Sequence, residues 1–80
     1  PYTTRFRSSY ELTIEQIQAC EKGFEQAEER DYISRNSSRK EIDDVIYETL
    51  EFGCDDVDEL FPTDDDLNAA VDYIYNNMCN

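Results

Sequence analysis

Three short segments with capping-box spacing constrain the fold of this chain more than any other feature of its sequence. They occupy residues 13–16 (TIEQ), 38–41 (SRKE) and 63–66 (TDDD). In such a box the first hydroxyl accepts from a backbone N–H three positions later, and the later side chain reaches back to the first N–H. Each segment precedes a run of apolar residues with helical periodicity. The sequence therefore predicts three helix starts.

The apolar residues of these runs define the faces that we expect to be buried. The first run, residues 13–30, places on one face Ile14, Ile17, Cys20, Phe24 and Ala27. The second, residues 39–52, carries Ile42, Val45, Ile46, Leu50 and Phe52. The third, residues 64–78, carries Leu67, Ala70, Val71, Ile74 and Met78. We expect Gly23 to point away from the first face, and Gly53 to end the second helix in a left-handed conformation.

The segments between and before these runs complete the predicted architecture. Residues 57–61 read as one short helical turn, which Pro62 closes. Residues 1–12 alternate like a strand but have no evident pairing partner, so they are predicted to be an extended arm packed on the helices. The prediction is one all-α domain, residues 1–80. It consists of an arm (1–12) and a small helical bundle of three main helices plus one short helix (13–80).

Charge is distributed very unevenly along the 80 residues. The formal net charge is −13, from 20 acidic and 7 basic residues. All of the basic residues lie in residues 1–40, whereas residues 41–80 contain thirteen acidic residues and no Lys or Arg. A solvated helix face and the helix macrodipole explain part of this, notably the Asp run at 64–66. However, solubility needs only a moderate net charge, and an uncompensated field of one sign steers a positively charged partner.

The residues predicted to contact such a partner are twelve carboxylates and one tyrosine. They are Asp43, Asp44, Tyr47, Glu48, Glu51, Asp55, Asp56, Asp58, Glu59, Asp64, Asp65, Asp66 and Asp72. Asp44, Glu48 and Glu51 are expected to form one stripe, because side chains three or four positions apart on a helix lie about 5–6 Å apart. That spacing is comparable with phosphate spacing along a nucleic-acid strand. Tyr73 and Tyr75 are further candidate anchors or core edges, with Tyr75 leaning toward the buried face.

This pattern predicts a partner rather than a reaction. The expected partner is a basic protein or complex that handles nucleic acid, whose channel the polyanionic face would block without binding nucleic acid itself. We expect a monomer or a weak dimer. Arg5 and Arg7 are expected to be internal counter-charges or periphery rather than the binding determinant.

Several kinds of chemistry lack the residues they need. The chain has no histidine and only two glycines, so it has no histidine-based nucleophile or metal site and no glycine-rich phosphate loop. An EF-hand loop starting at Asp56 fails, with Phe61 where glycine is needed and Leu67 where glutamate is needed. No catalytic residue, cofactor or metal is predicted.

The cysteines and the hydropathy pattern bear on location. Cys20, Cys54 and Cys79 form an odd set without metal-type spacing. We prefer reduced thiols to one disulfide plus a free thiol. No secretory signal pattern or membrane-length apolar run is present. The expected location is the cytoplasm, including that of a bacterial host.

In size and charge pattern the chain resembles the small acidic anti-CRISPR and antirestriction proteins of phages and plasmids, which act as nucleic-acid mimics. That resemblance implies an inhibitor. Two stretches, "FGCDDVDEL" and "LNAAVDYIYNN", resemble acyl carrier proteins, but Asp56 replaces the serine that bears phosphopantetheine. Size, charge and helicity also resemble nuclease-colicin immunity proteins, whose Tyr-Tyr-Pro motif has no counterpart. An immunity protein, an antitoxin, an adaptor module or a degenerate carrier-like fold therefore remain as alternatives.

Overall fold

The computed structural model describes residues 12–79, which form five helices and no strand. They are α1 (Ile14–Glu29), α2 (Arg39–Asp44), α3 (Ile46–Gly53), α4 (Val57–Leu60) and α5 (Asp64–Met78). The all-α prediction is confirmed for these residues. The predicted arm lies outside the described residues except for Leu12, which packs against the core. Within residues 12–79, no helix is long and apolar enough to cross a membrane.

All three predicted capping boxes form. At the start of α1 the Gln16 N–H donates to Thr13 Oγ1 at 3.1 Å, and the Thr13 N–H donates to Gln16 Oε1 at 2.9 Å. Ser38 and Glu41 make the same two bonds at the start of α2, at 3.1 and 2.8 Å. Thr63 begins α5 in the same way. These reciprocal bonds satisfy backbone donors that have no partner inside a helix, which is why the helices begin at these residues.

The predicted second helix is divided in two at Val45, so the prediction of three main helices and one short one is only roughly met. Val45 has φ −119° and ψ 20°, outside the α-helical range, and its N–H donates to Ile42 O at 3.2 Å in a tightened turn. The division has a packing consequence. It allows α2 to pack on α5 while α3 packs on α1.

The α1–α3 interface is the largest between helices, and glycines bring its backbones together. A Cβ atom on Gly23 would lie 2.3 Å from the carbonyl oxygen of Thr49. A Cβ on Gly53 would lie 2.0 Å from the carbonyl oxygen of Ala19. Both glycine predictions were therefore wrong. Gly23 is buried and faces α3, and Gly53 is the last residue of α3 with no left-handed φ. Each is glycine because the other helix occupies the space of a side chain.

The core lies between α1, α3 and α5, with α2 and α4 closing its sides. Its fully buried side chains include Cys20, Ile42, Leu50, Val71 and Ile74. Thr49 is also fully buried, and its hydroxyl has no hydrogen-bond partner among the described residues. Ile14, which was predicted to join this core, is 74% exposed. It is the first residue of α1, before the positions at which Ala19 and Gly23 meet α3.

Candidate acidic interface

Most of the predicted partner-contacting residues are exposed. Ten of the twelve carboxylates are accessible on α2, α3 and α4, on the turn between α3 and α4, and on the first turn of α5. We call them the acidic surface: Asp43, Asp44, Glu48, Glu51, Asp55, Asp56, Asp58, Glu59, Asp64 and Asp65. Their positions follow from the fold, because the opposite faces of α2 and α3 carry the buried Ile42, Ile46 and Leu50.

Asp66 does not belong to the acidic surface, which corrects the prediction. Only 6% of its surface is exposed. Its Oδ2 accepts from the Thr63 N–H at 3.2 Å and from the Thr63 hydroxyl at 2.9 Å. The carboxylate thus closes the capping box of α5 and is turned away from any partner.

Asp72 also forms its contacts within the molecule. It is half-buried and forms an ion pair with Arg39, whose Nε donates to Asp72 Oδ1 at 2.8 Å. This pair ties the start of α2 to α5. Asp44 has a looser contact, with its Oδ2 at 3.4 Å from Lys40 Nζ, and both side chains are largely exposed. Asp72 is therefore a structural carboxylate, whereas Asp44 stays accessible.

The other basic side chains of the described residues form no ion pair within 4.0 Å with the acidic surface. The Arg30 guanidinium stacks over the Phe52 ring, 4.8 Å from its centroid. Arg35 Nε lies 3.8 Å from the carboxylate of Glu28, on α1. Lys22 is exposed on α1. Among residues 12–79, Asp44 is the one member of the acidic surface within 4.0 Å of a basic side chain.

Several of these carboxylates gather around Tyr47, on the outer face of α3. Its hydroxyl donates to Asp58 Oδ1 at 3.0 Å and so links α3 to α4. This hydrogen bond is the main cause of a raised pKa for Tyr47, and the negative charges of Asp58, Glu51 and Asp56 add to it. The ring is 38% exposed. A half-exposed aromatic side chain thus sits among at least three carboxylates.

The predicted stripe of Asp44, Glu48 and Glu51 is interrupted. Glu48 and Glu51 share a face of α3 at a spacing of three residues, whereas Asp44 lies on α2, beyond the break at Val45. The regular four-residue spacing from Asp44 to Glu48 therefore does not hold. All three carboxylates are nevertheless exposed on consecutive segments.

A groove of about 470 Å³ opens beside α4. We call it the acidic groove, and the residues that line it are Glu15, Cys54, Asp55, Asp56, Glu59 and Leu60. Asp56 Oδ1 also accepts from the Glu59 N–H at 3.2 Å and caps α4. Glu15 was missed by the charge pattern because it belongs to the neutral half of the chain. A hydrogen bond links the start of α1 to α4 at this point, since Gln16 Nε2 donates to Leu60 O at 2.9 Å.

Cys54 forms part of this groove, where its surroundings favour the neutral thiol. It is half-buried, and its S–H donates to Leu50 O at 3.3 Å. Burial raises the pKa of the Cys54 thiol, and the charges of Asp55, Asp56 and Glu51 raise it further, against an opposing hydrogen bond from the Asp56 backbone. The neutral thiol is thus favoured, and it contributes an apolar surface to the groove.

Of the two C-terminal tyrosines, Tyr73 packs at the edge of the core, one of the two roles expected of it, whereas Tyr75 differs from the expectation. Tyr73 is half-buried, and its hydroxyl donates to Glu21 at 3.0 Å, joining α5 to α1. Burial and this hydrogen bond raise the pKa of Tyr73 to about 12. Tyr75, which was expected to lean toward the core, is 38% exposed.

No group of three or more potential metal ligands comes together in residues 12–79. The clustered carboxylates can repel one another, accept hydrogen bonds and attract cations. Comparison of the chain with family models, with curated proteins and with solved structures finds no match.

Proposed function

We propose that this protein is a non-catalytic inhibitor that binds a basic, nucleic-acid-handling protein or complex through its acidic surface. It would act as a mimic of DNA or RNA, in the manner of the anti-CRISPR and antirestriction proteins that its charge pattern resembles. The cytoplasm, including that of a bacterial host, is the proposed place of action. The partner would be basic, because like charges placed opposite one another cost binding free energy.

One observation carries this proposal: the acidic surface is left largely uncompensated by the described part of the chain. Asp72 and Asp66 are used within the fold, and yet ten carboxylates remain exposed. Self-repulsion of this kind opposes the compact state, and solubility alone needs only a moderate net charge. A basic partner would relieve it on binding.

The arrangement also supplies what a nucleic-acid mimic needs besides charge. The carboxylates are carried by short helices that pack on a shared core, so their relative positions are fixed. Tyr47 adds an aromatic ring among them, and tyrosine is one of the residue types that most often contribute binding energy at interfaces. An arginine-lined channel can therefore form charge-assisted hydrogen bonds to the carboxylates and stack on the ring.

Capture of partners from bacterial lysate, at low and at high salt, tests the proposal. We expect a nucleic-acid-binding protein that is released by salt and by competing duplex DNA, because exposed charges are screened beyond about 10 Å at 0.1 M. The triple variant Asp44→Lys, Glu48→Lys, Glu51→Lys should weaken the captured complex. Three exposed pairs at about 0.5–1 kcal/mol each correspond to roughly 10- to 100-fold in the dissociation constant.

A matched variant separates local charge from total charge. Glu25→Lys, Glu28→Lys, Glu29→Lys changes the net charge by the same amount, but on α1. We expect it to retain most of the binding. If both variants weaken binding equally, net charge alone explains the effect. If neither salt nor either variant changes binding, the protein is not a nucleic-acid mimic.

A second candidate, an adaptor or immunity-type module, is favoured by one observation. Ile14 is 74% exposed, more than any other large hydrophobic side chain of the described residues. An adaptor that uses this residue would tolerate the charge reversal but lose its partner on Ile14→Asp. The two variants thus give opposite results for the two functions.

A further inference from the structure

Cys20 and Cys54 lie next to the close contact between the backbones of α1 and α3. Cys20 follows Ala19 in the chain, and Cys54 follows Gly53. A Cβ atom on Gly53 would lie 2.0 Å from the carbonyl oxygen of Ala19 and 2.8 Å from the amide nitrogen of Gly23, which are backbone atoms on either side of Cys20. The end of α3 therefore rests directly on the turn of α1 that carries Cys20.

Both cysteines are free thiols that pack at the core. Cys20 is fully buried, and Cys54 is half-buried. Burial raises the pKa of the Cys20 thiol to about 12, and the next contribution comes from Cys54. Such an electrostatic effect requires the two sulfur atoms to be near each other. In a disulfide the Cα atoms are about 4.4–6.8 Å apart, a separation that two helices reach only where their backbones are in contact.

The local structure leaves the side chain of Cys54 able to turn toward Cys20. Cys54 is the C-cap of α3, and its backbone is extended, with φ −151° and ψ 162°. Its S–H donates to Leu50 O at 3.3 Å, but the same oxygen also accepts from the Cys54 N–H at 3.0 Å. Loss of the S–H bond would therefore leave no buried carbonyl without a partner, and its cost is small.

We propose that Cys20 and Cys54 form a reversible disulfide that joins α1 to the end of α3, with a low-molecular-weight disulfide as the oxidant. Cys54, the more accessible thiol, loses its proton and attacks one sulfur of the oxidant, which forms a mixed disulfide and releases one thiol. Cys20 then loses its proton, attacks Cys54 Sγ and releases the second thiol. Two cysteine thiols are oxidised, and one disulfide is reduced to two thiols.

This disulfide would act as a redox-sensitive brace of the fold. It would close a loop that contains α2 and α3, and it would restrict the unfolded chain more than the folded one. In a reducing compartment, disulfides of this kind are transient and respond to the redox state. The inference does not depend on the proposed function. It adds that oxidation would hold α1 against the segment that carries Asp55 and Asp56, two members of the acidic surface.

Oxidation of the variant Cys79→Ser, which has one possible pair of thiols, tests the inference. A serine hydroxyl can keep the hydrogen bond of this side chain to Ser34 O. Treatment with neutral 2-hydroxyethyl disulfide should give a monomer that has lost two hydrogen atoms by mass spectrometry, with a peptide joining Cys20 to Cys54. The urea midpoint should rise by about 1 M or more. Cys20→Ser in the same background should retain the mixed disulfide on Cys54 and show no such rise.

A second measurement shows whether the fold brings the two thiols together. The Cys79→Ser variant is equilibrated with mixtures of the oxidant and its thiol, in buffer and in about 8 M urea. The ratio of disulfide to dithiol should be at least about 10-fold higher in buffer, because the cross-link and the fold stabilise each other. A ratio that is equal or lower in buffer would overturn the inference, as would a product that stops at the mixed disulfide or forms covalent dimers. No partner protein is present, so this inference and the proposed function can fail separately.

Discussion

The two faces of α3 obey different rules, although they alternate along the same eight residues. The inner face meets α1, and there the backbones are so close that Gly53 has no room for a Cβ atom. The outer face carries Tyr47, Glu48 and Glu51, and faces solvent. On the inner face, the space left by the neighbouring helix decides which residue type can occupy a position, to within a single atom. On the outer face these three side chains are exposed, and two of them carry negative charge.

The largest effect is expected from one methyl group on the inner side. Gly23→Ala should destabilise the fold by about 3 kcal/mol, although the same change raises helix propensity by about 1 kcal/mol at an unhindered site. The cause is the added Cβ, which would lie 2.3 Å from the Thr49 carbonyl oxygen. Urea unfolding measures the change. A small domain has only about 3–5 kcal/mol to lose, so much of the variant should be unfolded in buffer.

Two controls define the cause of that loss. Gln18→Ala, at an exposed position of α1, should change the free energy of unfolding by less than about 0.5 kcal/mol. Thr49→Ala in the Gly23→Ala background should not restore stability, because the obstacle is a backbone atom. Rescue by Thr49→Ala would contradict this account and would assign the close contact to the side chain.

The second prediction uses the buried thiol of Cys20, which the inner face of α3 helps to enclose. Burial raises the pKa of Cys20 from 9.0 to about 12, with smaller contributions from Cys54 and Glu21. The folded state therefore keeps its proton at a pH where the unfolded chain has lost it. The stability that this provides is complete below about pH 9 and is lost as the pH rises toward 12, at about 1.4 kcal/mol per unit.

Urea unfolding at about pH 8 and about pH 10.5 measures this loss, which should be about 2 kcal/mol. Tyr73 shifts the curve in the same direction, and by less because it is half exposed. Cys20→Ala should lower the free energy of unfolding by a constant amount at every pH, because it leaves a small cavity. It should also make the decrease of that free energy at alkaline pH smaller. Cys54→Ala, at the half-buried thiol, is the matched control and should leave most of the decline. An unchanged decline in Cys20→Ala would assign it to other groups.

The same contrast explains how much could be predicted from the sequence. Capping depends on residues three positions apart, so Thr13, Ser38 and Thr63 were identified correctly as helix starts. Exposure of most of the carboxylates also followed, because a charged side chain rarely enters a core. The predictions that were wrong concerned features that depend on contacts between segments distant in sequence. The position of Gly23 requires knowledge of where α3 crosses α1, and the break at Val45 separates two helices that pack on different partners.

Asp66 and Glu15 show the same limit within the candidate site. From the sequence, Asp66 could either cap α5 or belong to the acidic surface. Its burial and its hydrogen bond to Thr63 show that it caps the helix. Glu15 lies in a half of the chain whose charges cancel, so no count of charges could have placed it in the acidic groove. Composition thus predicts that an acidic surface exists, whereas tertiary packing decides which carboxylates belong to it.

The smallest effect is expected on the outer face and should have the opposite sign. Glu48→Gln, Glu51→Gln removes two like charges three positions apart on α3, which should stabilise the fold by a few tenths of a kcal/mol. The gain should vanish in about 0.5 M salt, because these exposed charges are then screened. Glu25→Gln, Glu29→Gln on α1 is the matched control, since Lys22 and Arg30 lie nearby in sequence, and it should bring no gain.

Thermal unfolding of the two variants side by side, at low and at high salt, resolves differences of this size. A loss of stability in Glu48→Gln, Glu51→Gln would mean that these carboxylates make favourable contacts within the chain. The acidic surface would then be structural and would need no basic partner. A gain in stability together with weaker capture of the partner would instead show that the outer face of α3 is kept acidic at the expense of the fold.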